Sequence, residues 1–176
     1  MPDPHESLAI FAEIAIALAG FSGIVIAFGR REIRVLSALE QRRLANLFML
    51  SGFVLCASLF AIAMLHVEAL TAATLWRLAS GATFLLGSAW LLWDLRKVAQ
   101  LKARHDDINL SLVAASDTLA ALALALLVYN FFALHLAWPV FVALAVITAG
   151  AFQQFILLVQ MHLRVQNDTP EPERMS

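Results

Sequence analysis

Two ionisable residues interrupt long apolar runs of this sequence: Glu13 in LAIFAEIAIALAGFSGIVIAF and Arg77 in ATLWRLASGATFLL. A charge in apolar surroundings must be neutralised, must hold an ion or proton, or must escape toward water. At a rise of about 1.5 Å per residue, Glu13 lies roughly 10 Å into its run and Arg77 roughly 9 Å into its own. The two depths match, so an ion pair locking the first helix to the third is one expectation. A proton or ion site lined by the pair is a second. In a third the residues do not meet, Arg77 reaching outward along its stem and Glu13 taking up a proton. Glu13 shares a helical face with Ala17 and Gly20, and Arg77 with Gly81, Phe84 and Ser88.

A further polar group comprises Asp117, Gln153 and Gln160. Asp117 and Gln153 each lie about 15 Å along a helix from a charged anchor, Asp107 and Arg164. Gln153 and Gln160 fall on one face with Ala149. They are candidates either for hydrogen bonds between helices, worth on the order of 1 kcal/mol each, or for the lining of a water-filled path.

Other reactive types carry less. His66 and His135 fall near one set of span ends, His105 and His162 near the other, and His5 lies in the N-terminal stub. No HxxE or HxxxH spacing links them, so neither a metal nor a cofactor is expected. The single cysteine, Cys56, has no CxxC partner and is expected to be a buried thiol. P-loop, GxSxG, HExxH and dinucleotide motifs are all missing from the sequence, and no enzyme activity is expected.

The elements that position these groups follow from composition. With 61% hydrophobic and 14% charged residues over 176 positions, the chain departs far from the usage of water-soluble domains. A hydrocarbon layer about 30 Å thick needs roughly 20 apolar residues per helix. An all-α bundle of five transmembrane helices is therefore expected, with spans at about 7–29, 44–66, 72–95, 110–134 and 138–163 forming one domain over 1–165. The polar, proline-containing tail 166–176 is expected to be disordered. Ser37 and Glu40 form an S-x-x-E capping box that starts the second helix near Ala38. Thr71 is placed to cap the third helix, and Pro139 suits the first turn of the fifth.

Charge sets the expected orientation. Arg30, Arg31, Arg34, Arg42 and Arg43 fall in the first connection, Arg96, Lys97, Lys102 and Arg104 in the third, and Arg164 and Arg174 at the C-terminal end. With five spans, all of these lie on one side, which the preference of lysine and arginine for the cytoplasm makes the inner one. The N-terminus is then outside and the C-terminus cytoplasmic. Aromatic belts agree, with Trp76, Tyr129 and Trp138 expected at the outer boundary and Trp90 and Trp93 at the inner one.

The excess of arginine over lysine, together with abundant alanine, points to a GC-rich bacterial source and hence an inner membrane. A net charge of -1 excludes nucleic acid as a partner class, since phosphate-driven binding needs a basic surface. Along the first span Ala15, Ala19, Gly23 and Ala27 recur every four residues with Gly20 beside them, a pattern that lets helices approach closely. A homo-oligomer, or association with other membrane subunits, is expected from it. The functional expectation is a channel-like or permease component for an ion or small solute; the alternative is a non-catalytic scaffold of a larger membrane complex.

Overall fold

The computed structural model describes residues 3–28, 38–102 and 110–168, with the backbone alone described for 25–28, 38–40, 101–102, 110–113 and 161–168. Those residues form five long helices: α1 (Pro4–Phe28), α2 (Ala38–Leu65), α3 (Ala72–Lys102), α4 (Leu110–Tyr129, prolonged by the π-helical turn Asn130–Leu134) and α5 (Trp138–Asp168). Each is long and apolar enough to cross a membrane.

The distribution of side chains suits a bundle that crosses a membrane. Large apolar side chains point outward, among them Ile16, Phe21, Leu85, Leu122 and Phe132, whereas alanines 12, 15, 57, 61, 79, 123, 143 and 151 are buried. Lipid tails solvate leucine as well as a protein core does, so helices gain by close backbone approach at small residues instead. Ser22, Ser51, Ser58, Ser80 and Thr83 are buried among the alanines for the same reason. Gly87 lets Leu124 of α4 lie close against α3: a Cβ there would stand 2.8 Å from Leu124 Cδ2.

Helices α2 and α5 form the centre. Helix α1 packs on both of them and not face to face with α3, while α3 and α4 close the other side. The buried face of α1 runs through Leu8, Ala12, Ala15, Leu18 and Ser22, at the spacing of a 3.6-residue helix. A repeat of four drifts about 40° per step on such a helix, which splits the small-residue stripe. Ala15 is buried and Ala19 half-buried, but Gly20 and Gly23 are exposed, and a Cβ on either glycine would meet nothing within 4 Å. The side chain of Ala27 lies outside the described residues.

Each chain reversal has a local cause. The hydroxyl of Thr71 accepts a hydrogen bond from the Thr74 amide at 3.3 Å, capping α3. The α4–α5 corner is built around Asn130. Its Oδ1 accepts from the Leu136 amide at 2.9 Å, and its Nδ2 donates to the Leu136 carbonyl at 2.9 Å and to Ser80 Oγ of α3 at 2.7 Å. His135 then turns the chain in the left-handed region, φ 55°, with its amide bonded to the Asn130 carbonyl at 3.0 Å. Pro139, buried, occupies the first turn of α5, where its missing N–H has no helical partner to lose.

Two expectations about single residues are corrected. Trp76 is buried, its ring edge-on to Phe141 with centroids 5.8 Å apart, because its position on α3 faces α5 and not the lipid boundary. Cys56 is exposed, because it lies on the outward side of α2, between the buried Val54 and Ala57.

Asn130 is fully buried and its amide is saturated, so Asn130→Leu leaves the Leu136 amide and carbonyl without partners. Thermal or denaturant unfolding in detergent micelles should show a loss of about 1–3 kcal/mol. A variant as stable as the parent would mean that the corner does not depend on this side chain.

Candidate functional site

A cluster of charged and polar side chains lies where α2 and α4 begin and α3 and α5 run toward their ends. Arg42 and Asn46 are one turn apart on α2 and therefore share a face. Opposite them stands Asp94 of α3. The Arg42 guanidinium grips its carboxylate with two bonds, Nη2 to Oδ2 at 2.6 Å and Nε to Oδ1 at 3.1 Å, and Asn46 Nδ2 donates to Oδ1 at 2.8 Å. The two charged side chains are only 9% and 3% exposed. Among the described residues this is the one ion pair. Burying both charges is tolerable because the bidentate geometry and the third donor replace the lost water.

Beside this network opens a pocket of about 140 Å³, lined from four helices: Arg42, Arg43 and Asn46 of α2, Trp90 and Asp94 of α3, Ser116 and Asp117 of α4, and Gln153 and Gln154 of α5. Such a space holds several waters or one small solute. Ser116 Oγ donates to Gln153 Oε1 at 3.1 Å, tying α4 to α5 across it. Arg43 reaches the Leu157 carbonyl at 3.5 Å. Asp117, half-buried on the pocket wall, makes neither a hydrogen bond nor an ion pair with another described residue.

Two more polar atoms on this wall are buried without a hydrogen-bond partner, Asn46 Oδ1 and Trp90 Nε1. One is an acceptor and the other a donor. Together with the Asp117 carboxylate they complement a guest that both donates and accepts hydrogen bonds. Trp90 has its indole turned into this wall.

The residues singled out from sequence are thus divided. Asp117 and Gln153 do meet at one pocket, with Ser116 as the actual partner of Gln153. Gln160 is exposed and lies outside the lining. Glu13 and Arg77 do not pair: both are exposed, Glu13 on α1 and Arg77 on α3, with α2 and α5 rather than α3 in contact with α1. Arg77 instead lies over the Phe131 ring, 4.9 Å from its centroid. Between the pocket and the Asn130 corner lie the buried side chains of Val54, Leu127 and Leu144, with Ser51 and Ser58 of α2 also buried along that stretch.

Arg42, Asn46 and Asp94 escaped the sequence reading. Arg42 counts there only as a loop charge. The available signal was the capping box, which already places Arg42 and Asn46 on successive turns of a helix.

Comparison with protein-family models, with curated proteins and with solved structures finds no match, so function has to be read from this geometry.

Two measurements test the arrangement. Arg42→Met and Asp94→Leu, made singly, should each destabilise the protein in micelles by about 3–5 kcal/mol, and the double variant should recover most of that loss. Losses that simply add would show that the pair is not an energetic unit. Glu13→Gln and Arg77→Gln, by contrast, should combine additively to within about 0.5 kcal/mol. A larger coupling energy would put the two side chains in contact.

Proposed function

We propose that this protein is a multipass protein of the inner membrane, N-terminus outside and C-terminus cytoplasmic, which admits an ion or small polar solute into the four-helix pocket as the cytoplasmic part of a permeation route. The observation that carries this reading is Asp117. It is an ionisable group on a pocket wall inside an apolar bundle, with no ion-pair partner among the described residues, beside a second carboxylate that is already neutralised by Arg42. Unpaired ionisable groups within membrane spans are expensive, and where they face a cavity they mark sites for ions or polar solutes. The Arg42–Asp94–Asn46 network serves as the fixed wall against which the guest is held.

The orientation rests on loop charge. The pocket end of the bundle carries Arg42, Arg43, Arg96 and Lys97, so under the positive-inside rule it faces the cytoplasm. The opposite end, closed by the buried stretch and the Asn130 corner, would open in a second conformation for passage to be complete.

A second reading has its own support. The exposed Gly20 and Gly23 leave open space on the outer flank of α1, which suits close packing of another membrane helix. On this reading the chain is a scaffold or homo-oligomer subunit, and the buried stretch is simply its core.

Flux into liposomes separates the two. Purified protein should carry protons, monovalent cations or small hydroxylated solutes above the rate of empty liposomes. Asp117→Asn should reduce that rate about tenfold, corresponding to loss of one charge-assisted contact of roughly 1.5 kcal/mol. Rates equal to empty liposomes across this panel, or an Asp117→Asn variant as active as the parent, would remove the permeation reading and favour the scaffold.

A further inference from the structure

At the end of the bundle opposite the pocket, a groove of about 350 Å³ opens between α3 and α4, lined entirely by Gly81, Phe84, Leu85, Val128, Phe131 and Phe132. Its lining offers no polar atom to a guest, and its outer lips are strongly exposed, Leu85 at 66% and Phe132 at 71%. The shape has a cause in the backbone. The π-helical turn carries Phe131 and Phe132 out of the regular α4 register, with their rings edge to face at 5.0 Å. Gly81 lets the Phe131 ring lie against α3, since a Cβ there would meet its Cε2 at 3.1 Å.

Arg77 stands one turn above Gly81 on the same face of α3. Its guanidinium covers the Phe131 ring, is exposed, and has no carboxylate within ion-pair distance among the described residues. A cation–π contact offsets only a fraction of the cost of a guanidinium near hydrocarbon. An anion must come from elsewhere, and a bilayer supplies one in the phosphate of a lipid headgroup, toward which the long arginine stem can extend from inside the apolar run. Arginine binds phosphate through two parallel N–H donors.

We infer that the α3–α4 groove is a specific phospholipid site, with one acyl chain lying between Phe84, Val128 and Phe132 and the headgroup phosphate of an anionic phospholipid held by Arg77. The groove supplies apolar area and the cation supplies headgroup selection. The net negative lipid is favoured over a zwitterionic one, whose choline cation faces the guanidinium with like charge. The site is independent of solute flux and stands whether or not the polar pocket conducts.

Native mass spectrometry of detergent-purified full-length protein, titrated with phosphatidylglycerol or with phosphatidylcholine, tests the inference. The parent should retain phosphatidylglycerol in preference to phosphatidylcholine by about fivefold, the scale of one basic residue facing an anionic headgroup. Arg77→Gln should abolish the preference and Arg77→Lys should keep most of it. Leu85→Trp, which fills the groove from its exposed lip, should lower retention of both lipids. Unchanged melting of Arg77→Gln in micelles separates loss of the site from loss of fold. The inference is overturned by a parent with no preference, by an Arg77→Gln variant that keeps it, or by a Leu85→Trp variant that binds both lipids as the parent does.

Discussion

In a hydrocarbon solvent, burying leucine against leucine gains little over leaving it among lipid tails, so helices must be held by close approach and by buried polar contacts. The distribution of side chains in this bundle fits that constraint. Alanine and serine fill the interfaces while leucine, isoleucine and phenylalanine face outward. Two polar anchors, one near each end, then fix the helices in register: Asn130 with Ser80 and Leu136 at one, and Asp94 with Arg42 and Asn46 at the other. An unpaired polar group at either place would cost as much as the anchor contributes, which makes the arrangement specific as well as stable.

The anchors differ in what they leave over. At the Asn130 corner, both ends of the amide are used. At the Asp94 end the polar groups outnumber their partners, and the surplus, the Asp117 carboxylate, Asn46 Oδ1 and the Trp90 indole N–H, lies along one cavity wall. A structural lock needs no such surplus. A binding pocket does, because its guest must find donors and acceptors that the fold has not consumed. That asymmetry between the two ends is the physical ground for placing function at one of them.

Arg77 illustrates how the same cost can be met in a different way. The sequence suggests a protein partner at matching depth in Glu13, yet the two residues sit on helices that do not pack face to face. The guanidinium is directed over an aromatic ring beside an apolar groove, where the bilayer rather than the protein can complete its coordination.

The sequence by itself determined the five long apolar helices and the starts of α3 and α5, while the side chains of the Ser37–Glu40 capping box lie outside the described residues. Hydrophobic run lengths are set by bilayer thickness, and Thr71 and Pro139 act within one turn of their own positions, so both are legible without tertiary information. It also brought Asp117 and Gln153 forward, because ionisable and amide groups in apolar runs stand out by type alone. Only the tertiary structure decided which faces meet. Helix rotation settles whether Trp76 lies at a boundary or in the core, whether Cys56 is buried, and whether Glu13 finds Arg77. The Arg42–Asp94 pair joins residues 52 positions apart that look in the sequence like two unrelated span ends. Their meeting depends on how α2 and α3 turn about their axes, and that angle is fixed by small-residue packing spread along the whole length of both helices.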